Sequence, residues 1–190
     1  MERLRRKGLL KLAGWLRVFG ANAAAQRMLE TARAEHPRDP DVLAALAYLY
    51  TGQDRRREAL ALFDEAAAQR PGDAEIAFNR AYLLQSLNDH PAAIDAFKAA
   101  LAIKPDHDRA LYGLALSLIS LRRLDEAVPP LERNTRLQPM SPYGWYQLGR
   151  VQFDRGNADR TREIIAHLAR FEPKVAAQLA RDTGLPPPER

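Results

Sequence analysis

The sequence predicts an all-α chain made of paired helices in tandem. Three observations carry that expectation. Proline recurs every 34 residues, at Pro37, Pro71, Pro105, Pro139 and Pro173. Small and large apolar residues recur in the same frame. The composition is rich in Ala and Leu and sparse in β-branched residues, which favours helix over strand. With 13 Pro in 190 residues, five in one chosen frame would arise by chance on the order of once in a million. A period of this length belongs to helix–turn–helix units that stack into a solenoid.

Counted from three residues after each preceding proline, the units run 6–39, 40–73, 74–107, 108–141 and 142–175. The eighth place of each holds Ala13, Ala47, Ala81, Ala115 and Gly149. The twentieth holds Ala25, Ala59, Ala93, Ala127 and Thr161, and the twenty-fourth Leu29, Phe63, Phe97, Leu131 and Ile165. Small residues let two antiparallel helices approach, and the large one fills the adjoining gap. The first half of each unit has helical apolar spacing, as in Leu9, Leu12, Ala13, Leu16 and Phe19, which are expected to pack inside unit one. The second half repeats the pattern, as in Ala59, Leu60, Leu62, Phe63 and Ala66.

The boundaries read as stop and start signals. The last place of a unit holds Asp39, Asp73, His107 or Ser141. Asp and Ser there can cap the free N–H groups of the next helix. Pro40 and Pro142 follow at the first helical position, which tolerates proline. The earlier proline of each pair ends the previous helix, since it lacks an N–H and restricts its neighbour.

Unit five carries "WYQLG", with Trp145, Leu148 and Gly149, followed by Gly156 and Pro173. With the columns above, it resembles the tetratricopeptide repeat (TPR) family over about residues 6–175. The resemblance implies a right-handed α-solenoid of five antiparallel helix-turn-helix units, with first helices lining a concave groove and second helices outside. Some positions depart from the pattern. Arg80 and Gln152 stand at core-facing places, and Asn134 and Leu168 replace the usual Ala. Pro129 and Pro130 fall early in the second helix of unit four, which predicts a kink or late start there, with Asp125 as its cap. After Pro173, "KVAAQLARDTG" reads as a short capping helix, about 174–183, ending at Gly184, with 184–190 as a tail. The whole is expected to be one solenoid domain, 1–190.

Composition narrows the function. There is no Cys, so no disulfide, thiolate metal site or Cys nucleophile. Neither a G-x-G-x-x-G nor a G-x-x-x-x-G-K-[ST] loop occurs. His36, His90, His107 and His167 lack i, i+4 ligand partners and read as surface histidines, the first three in turns. Adjacent acids such as Asp64 and Glu65, or Asp125 and Glu126, diverge on a helix and have no apolar focus. "QDRRRE", from Gln53 to Glu58, reads as a solvated corner. No enzyme, cofactor or metal is expected.

The resemblance places the second, fifth, ninth and twelfth residues of each first helix in the groove. Five of the six tyrosines lie at such places: Tyr48, Tyr82, Tyr112, Tyr143 and Tyr146. Phe78, Leu116, Ile119 and Phe153 extend the apolar surface, and Arg109 and Arg150 could hold a carboxylate. An exposed surface of this kind marks an interaction site. The two-carboxylate clamp of chaperone-binding TPR domains is not expected. Its places here hold Ala44, Tyr48, Asn79, Arg109 and Gly113, of which Asn79 and Arg109 alone are suitable.

The net charge of +5 resides wholly in residues 1–17, where Arg3, Arg5, Arg6, Lys7, Lys11 and Arg17 face Glu2 alone. The segment could serve as a solubilising end-cap, or contact an anionic membrane surface or an acidic partner through Arg3, Arg5, Arg6 and Lys7. The neutral body argues against nucleic acid as a partner. A basic start, an apolar middle and Ala21, Ala23, Ala24 and Ala25 resemble an export signal, but Lys11 and Arg17 interrupt it. A cytoplasmic protein is therefore expected, with membrane association or export as the alternative.

The function these readings imply is an adaptor, scaffold or assembly factor that binds a peptide or helix segment of another protein in an aromatic-lined groove. The alternative is a membrane-associated scaffold attached through the basic N-terminal helix.

Overall fold

In a computed structural model, residues 2–186 are described, apart from the side chains of residues 2–7 and of Arg17. The side chains of Arg3, Arg5, Arg6 and Lys7, and residues 187–190 of the expected tail, lie outside that description. The described residues form eleven α-helices and no strand. The chain divides into two compact units, Met1–Ile103 and Lys104–Arg190.

The first unit holds α1 (Glu2–Val18), α2 (Asn22–Glu35), α3 (Pro40–Gly52), α4 (Arg56–Gln69), α5 (Ala74–Ser86) and α6 (His90–Ile103). They pack as the hairpins α1/α2, α3/α4 and α5/α6, with α2 against α3 and α4 against α5. The second unit holds α7 (Asp108–Ser120), α8 (Leu124–Leu137), α9 (Pro142–Asp154), α10 (Ala158–Ala169) and α11 (Pro173–Thr183). Here α7/α8 and α9/α10 are the hairpins, α8 packs on α9, and α11 covers α9 and α10. The repeating small residues at the eighth and twentieth places are buried, and so are the large ones at the twenty-fourth.

The turns explain the periodic prolines. Asp39, Asp73, His107 and Ser141 donate their backbone N–H to the carbonyls of His36, Arg70, Lys104 and Gln138 at 3.0–3.2 Å. Each is a four-residue turn with Pro37, Pro71, Pro105 or Pro139 at its second place, where the fixed φ of proline is already correct. The residue before the proline leaves the helical region, as at His36 (φ −134°), Arg70 (φ −140°) and Gln138 (φ −128°). The next helix then starts on a cap. Asp39 accepts from the N–H groups of Asp41 and Val42, and Asp73 from those of Glu75 and Ile76.

Within each hairpin the first helix ends in one recurring motif. Gly20, Asp54, Asn88, Arg122 and Gly156 lie 34 residues apart and all have left-handed backbone, φ 58–84°. The N–H of the following residue reaches back five residues, as from Arg55 to Tyr50 O (2.9 Å) and from Asn157 to Gln152 O (2.8 Å). This closure satisfies a terminal carbonyl of the helix. Glycine adopts the angle freely and Asp and Asn tolerate it, whereas Arg122 carries its steric cost.

Four expectations are corrected. The helix α8 neither starts late nor uses Asp125 as its cap. It starts at Leu124, in register with α4 and α6, its flanking residue is Arg123, and Pro129 and Pro130 lie inside it. The fold absorbs the lost N–H groups because the hairpin contacts of Ala127 and Leu131 hold α8 in register. Ser141 makes no side-chain cap bond, so Pro142 alone marks that helix start. His107 is buried, not a surface residue, and its Nδ1 accepts from Ala110 N as an N-terminal cap; His90 is the first residue of α6 rather than a turn residue. Leu12 on α1 and Phe19 in the turn after it are exposed rather than packed within the first hairpin.

The polar residues at core places are satisfied. Asn134 Nδ2 donates to Asp108 O at 2.9 Å, and Gln152 Oε1 accepts from Asn157 Nδ2 at 2.8 Å and Arg155 Nη1 at 3.1 Å. A buried amide with its partners in place avoids the desolvation penalty of an unmade bond. Arg80 reaches out of the core to pair with Asp64 on α4.

Candidate functional site

In the first unit, Tyr48 on α3 and Phe78 and Tyr82 on α5 share one face of the first helices. Tyr48 and Tyr82 are 41% and 49% exposed. The ring of Tyr48 stands edge-on to Phe63 at 5.3 Å, and its hydroxyl accepts from Asn79 Nδ2 at 2.6 Å. Asn79 also donates to Glu75 O, so it bridges neighbouring hairpins and fixes the phenol. Phe78 differs from its expected place on an open wall. It is buried, 6.1 Å from Phe97 of α6, and its outer edge stacks on Tyr82 at 6.4 Å. It therefore supports Tyr82 rather than facing solvent. Tyr50, the sixth tyrosine, is buried beneath Arg55, whose guanidinium lies 3.6 Å from the ring centre. Arg55 also pairs with Glu58, which raises the Arg55 pKa and lowers that of Glu58. Asp54, Arg56, Arg57 and Glu58 are exposed, as expected of a solvated corner, and Arg55 turns in to clasp the end of α3.

In the second unit, Tyr112 lies on α7 and Tyr143, Tyr146, Arg150 and Phe153 on α9. Tyr143 is 71% exposed. Leu116, Tyr112, Tyr146 and Phe153 are half-buried, and Arg109 is exposed. A cleft of about 470 Å³ runs between Tyr112, Tyr143, Tyr146 and Gln147 on one side and Glu172, Lys174, Val175 and Gln178 of the α11 region on the other. Burial pushes the Tyr112 phenol up, while its hydrogen bond with Gln147 acts the other way.

The cleft has an anchor that the sequence pattern did not reveal. Asp182 on α11 accepts a short hydrogen bond from the Tyr146 hydroxyl and another from Gln178 Nε2 at 2.7 Å. Arg150 Nη1 lies 3.8 Å from the same carboxylate. The hydrogen bond from Tyr146 holds Asp182 below the usual carboxylate range and raises the phenol in turn. A carboxylate from this chain thus already engages Arg150, one of the two arginines expected to hold one from a partner, together with Tyr146 of the expected aromatic wall. Asp182 lies 32 residues beyond Arg150, with no local motif to pair them.

Among the described residues, no group of three or more His, Cys, Asp or Glu side chains is placed to hold a metal ion. No described helix is long and apolar enough to cross a membrane.

Comparison with known proteins agrees with this architecture. Family profiles described as tetratricopeptide repeat match residues 19–81, 78–142 and 112–171. No curated protein matches the chain. Among solved structures, a crystal structure of MamA protein superimposes with a TM-score of 0.82 at 19% identity, covering 90% of this chain and 94% of that one. YrrB, described as a TPR protein with an unusual peptide-binding site, gives a TM-score of 0.79 at 15% identity, with 91% and 90% covered. A tetratricopeptide repeat protein from Parabacteroides merdae ATCC 43184 gives 0.81 at 22% identity, with 95% and 74% covered. At these identities the structural likeness speaks for the fold, and the family profiles speak for the repeat. The chain belongs to the tetratricopeptide repeat family.

Proposed function

We propose that the chain is a non-catalytic interaction module that holds a segment of a partner protein against its tyrosine-bearing first helices. The cleft in the second unit carries the reading. Exposed Tyr143 stands at its side, Tyr112 and Tyr146 supply further aromatic surface, and Gln147, Gln178 and Lys174 offer polar contacts. Tyrosine suits this role, with a large rigid surface, two side-chain torsions and a polar tip. A ring covered on binding contributes about 1.5–3 kcal/mol, so two or three support micromolar affinity after association costs. Tyr48 and Tyr82 give the first unit a similar but shallower surface. The peptide-binding site named for YrrB is in keeping with this use of the fold.

The test starts from a phage-displayed peptide library panned on the full chain. Selected peptides should bind Tyr112→Ala/Tyr143→Ala at least tenfold more weakly by calorimetry, with helical circular dichroism unchanged. Tyr82→Ala, in the other unit, should weaken the same peptides less. Failure to enrich any peptide, or equal affinity for the double variant, would remove the cleft as a binding site.

A further inference from the structure

We propose that the outer face of α1 seats on an anionic lipid bilayer, with the helix lying in the plane of the membrane surface. This surface is separate from the cleft and independent of the peptide-binding reading. Leu12 and Trp15 follow helical i, i+3 spacing on α1, with Val18 as its last residue and Phe19 in the turn directly after it. Trp15 is 62% exposed and Phe19 76%, and their rings stack with centroids 5.9 Å apart. Exposed Lys11 borders the stripe. The sequence of residues 1–17 holds six cations and one anion, while the other 173 residues carry 23 of each sign. An amphipathic helix with Trp, Phe and Leu on one face and an excess of Lys and Arg is the signature of an interfacial helix.

The repeat provides an internal control. Leu12 and Trp15 correspond to Leu46 and Leu49 of α3, which are buried in the core shared with Ala25 and Leu29 of α2. The face could on that ground be a seat for another helix. Val18 argues otherwise. At the place of Val18, the later first helices carry Gly52, Ser86, Ser120 and Asp154. The apolar stripe of α1 thus runs past what a neighbouring hairpin covers. A second copy docked face to face would also bring two +5 segments together, which repel. A flat anionic surface accommodates both the long stripe and the charge.

The experiment is co-sedimentation of the full chain with phosphatidylcholine vesicles, with and without roughly 30% phosphatidylglycerol. Binding should be at least tenfold stronger to the anionic vesicles and should weaken as salt is added. Trp15→Ser/Phe19→Ser alters exposed residues only, so the variant should keep its circular dichroism while losing at least tenfold in vesicle affinity. The peptide-binding affinity of that variant should be unchanged. The proposal is overturned if the chain stays in the supernatant, if neutral vesicles bind as well, or if the double variant binds as the parent does. It is equally overturned if ultracentrifugation shows a dimer that the double variant abolishes and vesicles do not compete for.

Discussion

On α3, Leu46 and Leu49 pack with residues of α2 and are sealed from solvent, whereas on α1 Leu12 and Trp15 hold the same two places of the repeat and stand exposed. The difference does not lie in the residue types, which are large and apolar in both. It lies in whether a preceding second helix covers the face. In a tandem repeat each first helix is built to be covered from two sides, and no described helix covers this face of α1. The second unit meets the same need differently. Its α11 lies on α9 and α10, and no large apolar side chain of α11 is among the exposed ones in the described residues.

The most direct way to break the comparison is to truncate both members of the pair. Leu49→Ala should lower stability by about 2–5 kcal/mol, since it empties a buried site. Trp15→Ala should change it by less than about 1 kcal/mol, since most of that ring is already in water. Urea unfolding followed by circular dichroism measures both, and equal losses would mean that α1 is covered after all.

A second test addresses the shielded end. A Cβ on Gly149 would lie 2.4 Å from Leu179 Cδ2 of α11 and 3.3 Å from Ile164 Cγ2. Gly149→Ala should therefore destabilise by about 1–3 kcal/mol through overpacking, with the loss read first as faster hydrogen exchange in α11. Protection unchanged from the parent would show that α11 does not depend on the close approach.

Between these, a change in a turn touches neither face and calibrates the scale. Arg122→Gly should stabilise by about 0.5–1 kcal/mol, because Arg122 is held at φ 58°. A decrease in the urea midpoint would show that the Arg122 side chain, which reaches Asp154 at 3.4 Å, outweighs the backbone strain.

The smallest expected effect concerns how α11 is fixed. The Asp182 carboxyl is held below its ordinary value by the Tyr146 hydroxyl. A depressed carboxylate adds stability above its unfolded pKa and loses it as pH falls through the lower folded value. The α11 anchor should thus be intact at neutral pH and weaken only in acid, below the ordinary carboxylate range. Carboxyl carbon shifts of Asp182 in an NMR titration should have their midpoint below the ordinary aspartate value, and Tyr146→Phe should move it back up. An ordinary midpoint in the parent, or no shift in the variant, would dissolve the anchor.

Much of the fold was legible because its determinants are local and periodic. The prolines mark turns that need one φ, and the alanine columns mark helix crossings that need one small residue. Asp39 and Asp73 cap because their carboxylates sit next to the free N–H groups. The readings that failed depended on distant atoms. Nothing near Phe78 in sequence announces Phe97, and nothing near Arg150 announces Asp182. Leu12 has the same spacing as the buried Leu46, yet no described helix covers it. Of the site, the tyrosines could be found from their places in the repeat. The cleft could not, because half of it belongs to α11. The signal for the left-handed turn residues was present as Gly20, Asp54, Asn88 and Gly156, but Arg122 carries none.

The five left-handed residues fix how the chain can change in length. Each hairpin contains its own reversal, so duplicating an entire 34-residue cassette carries the required angle along with it. Inserting a single amino acid between the two helices of a hairpin would instead hand that angle to a residue not suited for it and rotate the following helix by about 100°. Growth by whole cassettes is the cheap route open to such a chain, and indels of one or two residues inside a hairpin are closed to it.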